Sequence, residues 1–144
     1  MLAAIATAYL LFTTPIDTTL NGFIRSKDGS TETYYRKGKK NGIFKSYYRK
    51  TGTLEALGFY ENDTPAGTWY YFDADSRISM IEEKRGLNKD KKINIEGKLH
   101  QPKYQSYLKE YDPKTGALKG EGLVLYFDDI EIDYYKYGTW KEYR

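Results

Sequence analysis

The chain has 144 residues, no cysteine, a net charge of +3, and an aromatic set of 16 Tyr, 6 Phe and 2 Trp. That length bounds it to about one domain; 13 glycines, 30% charged residues and negative mean hydropathy argue against a helical bundle and a polytopic membrane protein. The lack of cysteine removes a disulfide framework, a thiolate metal site, a cysteine nucleophile and a lipid-bearing cysteine anchor.

The first sixteen residues carry no charge and hold the apolar run Ala3 to Phe12. This is shorter than the ~20 apolar residues of a bilayer span but long enough for the core of a secretory signal, although the positive n-region is missing. Residues 1–22 are expected to form a signal peptide or N-terminal apolar segment, and residues 23–144 the folded domain; no transmembrane span is expected. The other reading of 1–16 is a buried terminal element of a cytoplasmic protein.

From Arg25 to Lys50 nine basic residues stand against Asp28 and Glu32 alone, and Arg36, Lys37, Lys39 and Lys40 make a basic patch. From Glu110 to Asp133 seven acidic residues face only Lys114 and Lys119. The chain is charge-polarised along its length, which serves solubility or steers a charged partner. A net charge of +3 is too small to mark a nucleic-acid binder, so a nucleic-acid partner is not expected.

Internal repetition dominates the middle of the chain. Tyr34-Tyr35, Gly42 and Phe44 recur at a shift of 25 as Phe59-Tyr60, Gly67 and Trp69, with Tyr47 matched by Phe72. Lys50-Thr51-Gly52-Thr53-Leu54 with Gly58 recurs at a shift of 64 as Lys114-Thr115-Gly116-Ala117-Leu118 with Gly122. Gly67-Thr68-Trp69 reappears as Gly138-Thr139-Trp140, and Phe72 and Tyr143 each follow the Trp by three residues. Each unit reads as a β-hairpin: a strand opening on Gly-x-aromatic, a Gly-bearing turn, and a second strand with Leu, Gly and an aromatic pair. Asp28-Gly29, Lys50-Thr51-Gly52 and Asp112-Pro113-Lys114-Thr115-Gly116 supply the turns, and Asn41-Gly42 and Asn62-Asp63-Thr64-Pro65 the connectors between hairpins.

Residues 86–103 fit this pattern poorly and are expected as an irregular insert or a degenerate repeat, with a short strand surviving around Ile93 and Ile95. Asp129, Glu131 and Asp133 alternate with Ile130 and Ile132, as on a strand with one solvated face; a calcium site built with Asp128 is the minor alternative. The last strand, Thr139 to Tyr143, is expected at a sheet edge.

The run Gly42-Ile43-Phe44-Lys45-Ser46-Tyr47-Tyr48, then Gly52-Thr53-Leu54 and Gly58-Phe59-Tyr60, resembles the bacterial MORN-repeat variant of YwqK-family antitoxin-like proteins. The likeness covers residues 23–81 well and residues 109–143 in pieces, and departs over residues 86–103. It implies an all-β fold, an elongated, twisted antiparallel sheet of successive hairpins, with no catalytic residues. It also implies protein interaction and, less securely, membrane association.

The repeat needs these residues because an array of hairpins must pack through large flat side chains. Phe44, Trp69 and Trp140, with Tyr47, Phe72 and Tyr143, are expected to stack between neighbouring hairpins or to form a binding surface. Gly42, Gly67 and Gly138 are expected to leave room for close approach. A spacing of three places the paired aromatics on opposite strand faces unless a bulge intervenes.

One histidine, His100, and no cysteine leave nucleophilic catalysis without a constellation, and no sequence feature selects a carboxylate pair. The expected function is therefore a non-catalytic, exported or envelope-associated interaction or scaffold module, without cofactor or metal, binding a protein or an envelope component. The alternative is a cytoplasmic antitoxin-like protein that neutralises a partner toxin.

Overall fold

The computed structural model describes residues 19–128 and 133–144. The apolar segment 1–16 and most of the alternating stretch from Asp129 to Asp133 lie outside them. The described residues are all-β. Nine strands form one antiparallel sheet: β1 (Gly22–Arg25), β2 (Thr31–Arg36), β3 (Lys39–Tyr47), β4 (Leu54–Glu61), β5 (Thr64–Phe72), β6 (Ile78–Leu87), β9 (Tyr104–Tyr111), β10 (Leu118–Tyr126) and β11 (Tyr135–Glu142). They pair in chain order, each with its sequence neighbour, except that β7 (Ile93–Ile95) and β8 (Lys98–His100) form a separate hairpin inserted between β6 and β9. Among the described residues no helix is long and apolar enough to cross a membrane.

Turn chemistry sets the meander. Lys37 and Gly38 (φ 51° and 77°), Asn62 and Asp63 (47° and 66°), and Glu96 and Gly97 (52° and 82°) each place two successive residues at positive φ. Paired positive φ gives the turn that matches strand twist in two-residue hairpin loops. The first connector is thus Lys37-Gly38; Asn41-Gly42, expected as the connector, lies inside β3. At the other end of the sheet the longer turns are held by carboxylates, Asp28, Asp73 and Asp112, each accepting backbone N–H bonds.

The segment 86–103 resolves into the end of β6 and the β7–β8 hairpin. The strand expected at Ile93 and Ile95 is β7, paired with Lys98–His100. Asn88, buried at the hairpin base, donates from Nδ2 to the Lys91 and Pro102 carbonyls (2.7 and 2.8 Å) and accepts the Lys91 N–H at Oδ1 (2.9 Å). The closing strand, β11, sits at a sheet edge as its sequence led us to expect.

A single row crosses the sheet: Thr33 pairs with Phe44, Phe44 with Gly58, Trp69 with Glu82, Glu82 with Leu108, and Leu108 with Gly122. Trp69 covers Gly58 and Trp140 covers Gly122; a Cβ built on either glycine would stand 2.1 Å from Trp69 or 2.6 Å from Trp140. Large and small side chains alternate along the row, so each indole fills the gap over the neighbouring glycine. Close approach therefore happens at Gly58 and Gly122. Gly67 and Gly138, expected to provide it, have open space around them and serve instead through φ of 65° and 70°. Both sit where the ladder register slips, between Leu57 and Phe59 of β4 and between Glu121 and Leu123 of β10, and the slip throws the following Trp across the neighbouring strand. Gly42 does both, with φ 141° and the Tyr34 ring 2.9 Å from where a Cβ would stand.

Candidate functional site

Most of the buried residues gather on the face that carries this row, where the sheet forms an open groove of about 360 Å³. Phe44, Tyr48, Tyr60, Trp69, Tyr71, Tyr126 and Tyr134 line it, over Ala56, Met80, Leu108 and Val124. Phe44 lies 5.3 Å from Trp69 and 5.6 Å from Tyr60, ring centre to ring centre, and Tyr60 lies 5.4 Å from Trp69. The sequence repeat thus brings Phe44 and Trp69 together. Trp140 lies on the same face but over Gly122, with Glu82, Leu108 and Gly122 separating it from Trp69 along the row.

The members three residues further on take other places. Tyr47 turns to the back face, where its hydroxyl donates to Glu32 (3.3 Å), and Tyr143 donates to Glu121 (3.3 Å). Both faces carry aromatics, as alternation requires. Bulges do occur beside Tyr47 and Phe72, but the extra residue belongs to the partner strand, Glu55 in β4 and Ser79 in β6, so the flip between faces survives. Phe72 borders the groove and its carbonyl accepts the Tyr48 hydroxyl at 2.6 Å.

In the middle of the groove lies a charged pair that the repeat did not foretell. Lys84 Nζ donates to Glu82 Oε1 at 2.9 Å, and both side chains are less than one-tenth exposed (6% and 9%). The ammonium also lies 5.1 Å from the Trp69 ring centre and 4.8 Å from that of Tyr126, and donates to the Tyr126 hydroxyl at 3.2 Å. Tyr71 donates to Glu82 Oε2 at 2.6 Å, and Ser106 bonds Tyr126 at 3.1 Å. No buried side-chain polar atom among the described residues lacks a partner, so the network is closed. Burial, reinforced by the Glu82 carboxylate, holds the Tyr71 phenol far above the usual tyrosine range. Burial raises Tyr126 as well, against the pull of Lys84, and it raises Tyr134, whose hydroxyl also meets Glu110.

Arg36, Lys37, Lys39 and Lys40 cluster at the β2–β3 turn. Lys40 reaches the groove side, with its ammonium 4.8 Å from the Tyr60 ring centre; Arg36, Lys37 and Lys39 are exposed. His100 ends β8 with its ring against Phe127, outside the groove lining.

The groove residues missed in the sequence include Glu55, Tyr71, Met80, Glu82, Lys84, Leu108, Val124, Tyr126 and Tyr134. Period-two reading fails on β6 because Glu82 and Lys84 alternate with Glu83 and Arg85, putting charge on both faces. Only the spacing of Gly58 and Gly122 pointed across that gap.

Fold and groove together define, among the described residues, a nine-stranded antiparallel sheet of hairpins with an aromatic-lined groove on one face. The chain matches no known protein-family model, no curated protein and no solved structure.

Proposed function

We propose that this chain is a non-catalytic protein-interaction module, exported or envelope-facing, whose aromatic groove holds a segment of a partner protein. One observation carries the reading: the groove presents ring faces, while the hydroxyls of four of its five tyrosines are spent inside the protein. Tyr48 bonds the Phe72 carbonyl, Tyr71 bonds Glu82, Tyr126 bonds Ser106 and Lys84, and Tyr134 bonds Glu110. A sugar needs a dense set of outward hydrogen-bonding groups; flat apolar rings with few free polar groups suit side chains of a polypeptide. The likeness of the hairpin units to the MORN-repeat variant supports the same reading, and the uncharged start of the chain supports export.

Site-specific photocrosslinking in native cells tests it, with a photoreactive amino acid replacing Tyr48 in the groove or Phe59 on the back face. A partner protein captured from position 48 and not from 59 is expected, and capture from 59 alone overturns the groove. The intact mass of the recovered protein tests export: a shortened chain outside the cytoplasm is expected. A full-length cytoplasmic chain bound to one small toxic protein would replace export by the antitoxin reading.

A further inference from the structure

The carboxylates around the groove are not equivalent. Glu82 is held by Lys84 and Tyr71, Asp73 by Arg77, and Glu110 by Tyr134 and Lys136. Glu55 has only a long bond from the Ser46 hydroxyl (3.4 Å), and no ion pair among the described residues includes it. Its position is the work of the β4 bulge. Ser46 pairs with Ala56 and Tyr47 with Leu54, leaving Glu55 as the extra residue, and Glu55 lines the groove together with Ala56. In a regular strand those two neighbours would face opposite sides, and bulges commonly re-aim one side chain in this way.

The groove's own lysine shows how a cation sits on this surface: Lys84 rests against Trp69 and Tyr126 with its ammonium on a carboxylate. Beside Glu55 the same ingredients recur, and no ion pair among the described residues brings a cation to it. Tyr48 and Glu55 both line the groove, near enough for the Glu55 charge to act on the Tyr48 phenol, and the Tyr48 hydroxyl is turned away onto Phe72, leaving the ring as the available surface. Ring faces attract cations through their quadrupole, and a carboxylate supplies a charge-assisted hydrogen bond.

We infer that the groove selects a basic side chain, arginine or lysine, of an extended partner segment, and seats it on Glu55 beside the Tyr48 ring. This rests on the groove being the interaction surface, and the test separates the two statements. A random-peptide phage library is panned on the full chain, and the recovered peptides are measured against Glu55→Gln and Ser46→Arg. The first variant keeps the shape and removes the charge. The second tethers a guanidinium next to Glu55 and fills the groove. Retained thermal unfolding transitions establish that both variants fold.

Recovered peptides are expected to carry Arg or Lys next to apolar residues, to lose about tenfold or more in affinity on Glu55→Gln, and to lose measurable binding on Ser46→Arg. Peptides without basic preference that bind Glu55→Gln like wild type but fail on Ser46→Arg overturn the cation preference and leave the groove standing. Binding that survives Ser46→Arg, or an unenriched library, overturns both.

Discussion

The Trp69 indole lies flat on Gly58, so close that a methyl group there would sit 2.1 Å from Trp69 Cδ2. Gly58 has ordinary strand φ, so its glycine is demanded by packing and not by backbone conformation. Alanine at a permissive glycine site usually stabilises by ~0.4 to 1 kcal/mol, but overpacking a filled core costs ~1 to 3 kcal/mol or more. Gly58→Ala is expected to lower stability by at least about 2 kcal/mol, and Gly122→Ala under Trp140 to follow the same direction. Urea unfolding measures both; a neutral Gly58→Ala would mean that the indole moves aside freely.

The Glu82–Lys84 pair makes a different demand. Removing one partner of a buried pair strands the other, at a cost of about 3 to 5 kcal/mol, whereas replacing both by apolar residues is often neutral. Lys84→Met is expected to be strongly destabilising, and Glu82→Leu with Lys84→Met to recover most of the loss. The recovery is partial because Tyr71 and Tyr126 also lose a partner. Additive losses in a double-mutant cycle would show that the two side chains act independently.

What the sequence made legible is what repeats. Trp69 and Trp140 were visible through Gly-Thr-Trp, the hairpin class through alternation and turn glycines, and β7 through Ile93 and Ile95. The third hairpin of the sheet was not visible, since Glu82 stands where Gly58 and Gly122 stand in the row and Leu108 where an indole stands. Bulges leave no signature of their own, so nothing in Leu54-Glu55-Ala56 announced that Glu55 lines the groove. The first tight turn was misplaced because Lys37 adopts a positive φ that local rules assign to Asn, Asp or Gly.

Acid should act through the turns. Asp28 accepts bonds from the Ser30 hydroxyl and N–H (2.7 and 3.0 Å) and from the Ser26 hydroxyl (2.8 Å), which hold its carboxyl well below the usual range, aided by Arg49. Backbone N–H groups, first those of Arg77 and Lys114, do the same for Asp73 and Asp112. Carboxyls depressed in the folded state contribute stability above their unfolded value of about 4 and lose it as pH falls through the folded values. The urea midpoint is expected to fall below about pH 4, and to fall less steeply in Asp28→Asn or Asp73→Asn. An identical acid limb in these variants would remove the turns as its cause.

Alkali should act through the groove. Tyr71, Tyr126 and Tyr134 are all raised, burial being the first cause in each. An acid whose folded pKa is raised contributes stability that is complete below the unfolded value, about 10 for tyrosine, and is lost as pH climbs toward the folded value. The phenolate absorbance of these three is expected to rise in a second stage that coincides with unfolding. Tyr71→Phe should remove one phenol from the second stage. Full ionisation before any loss of sheet signal would contradict the buried network.

Asn88 is the hinge on which the insert depends. Its side chain closes bonds to Lys91 and Pro102, and its backbone N–H donates to the Lys103 carbonyl at 2.8 Å, so one buried residue ties both ends of the β7–β8 hairpin. An isolated two-stranded hairpin is marginal in water, and each buried polar partner left unmet costs about 1 to 3 kcal/mol. Asn88→Ala is therefore expected to open residues 89–103 locally while the nine-stranded sheet persists. Hydrogen exchange resolves the two: protection should drop at Ile95 and His100 and hold at Leu108 and Val124. Equal losses at all four would make the insert part of the sheet's own cooperative unit, with Asn88 supporting the whole of it.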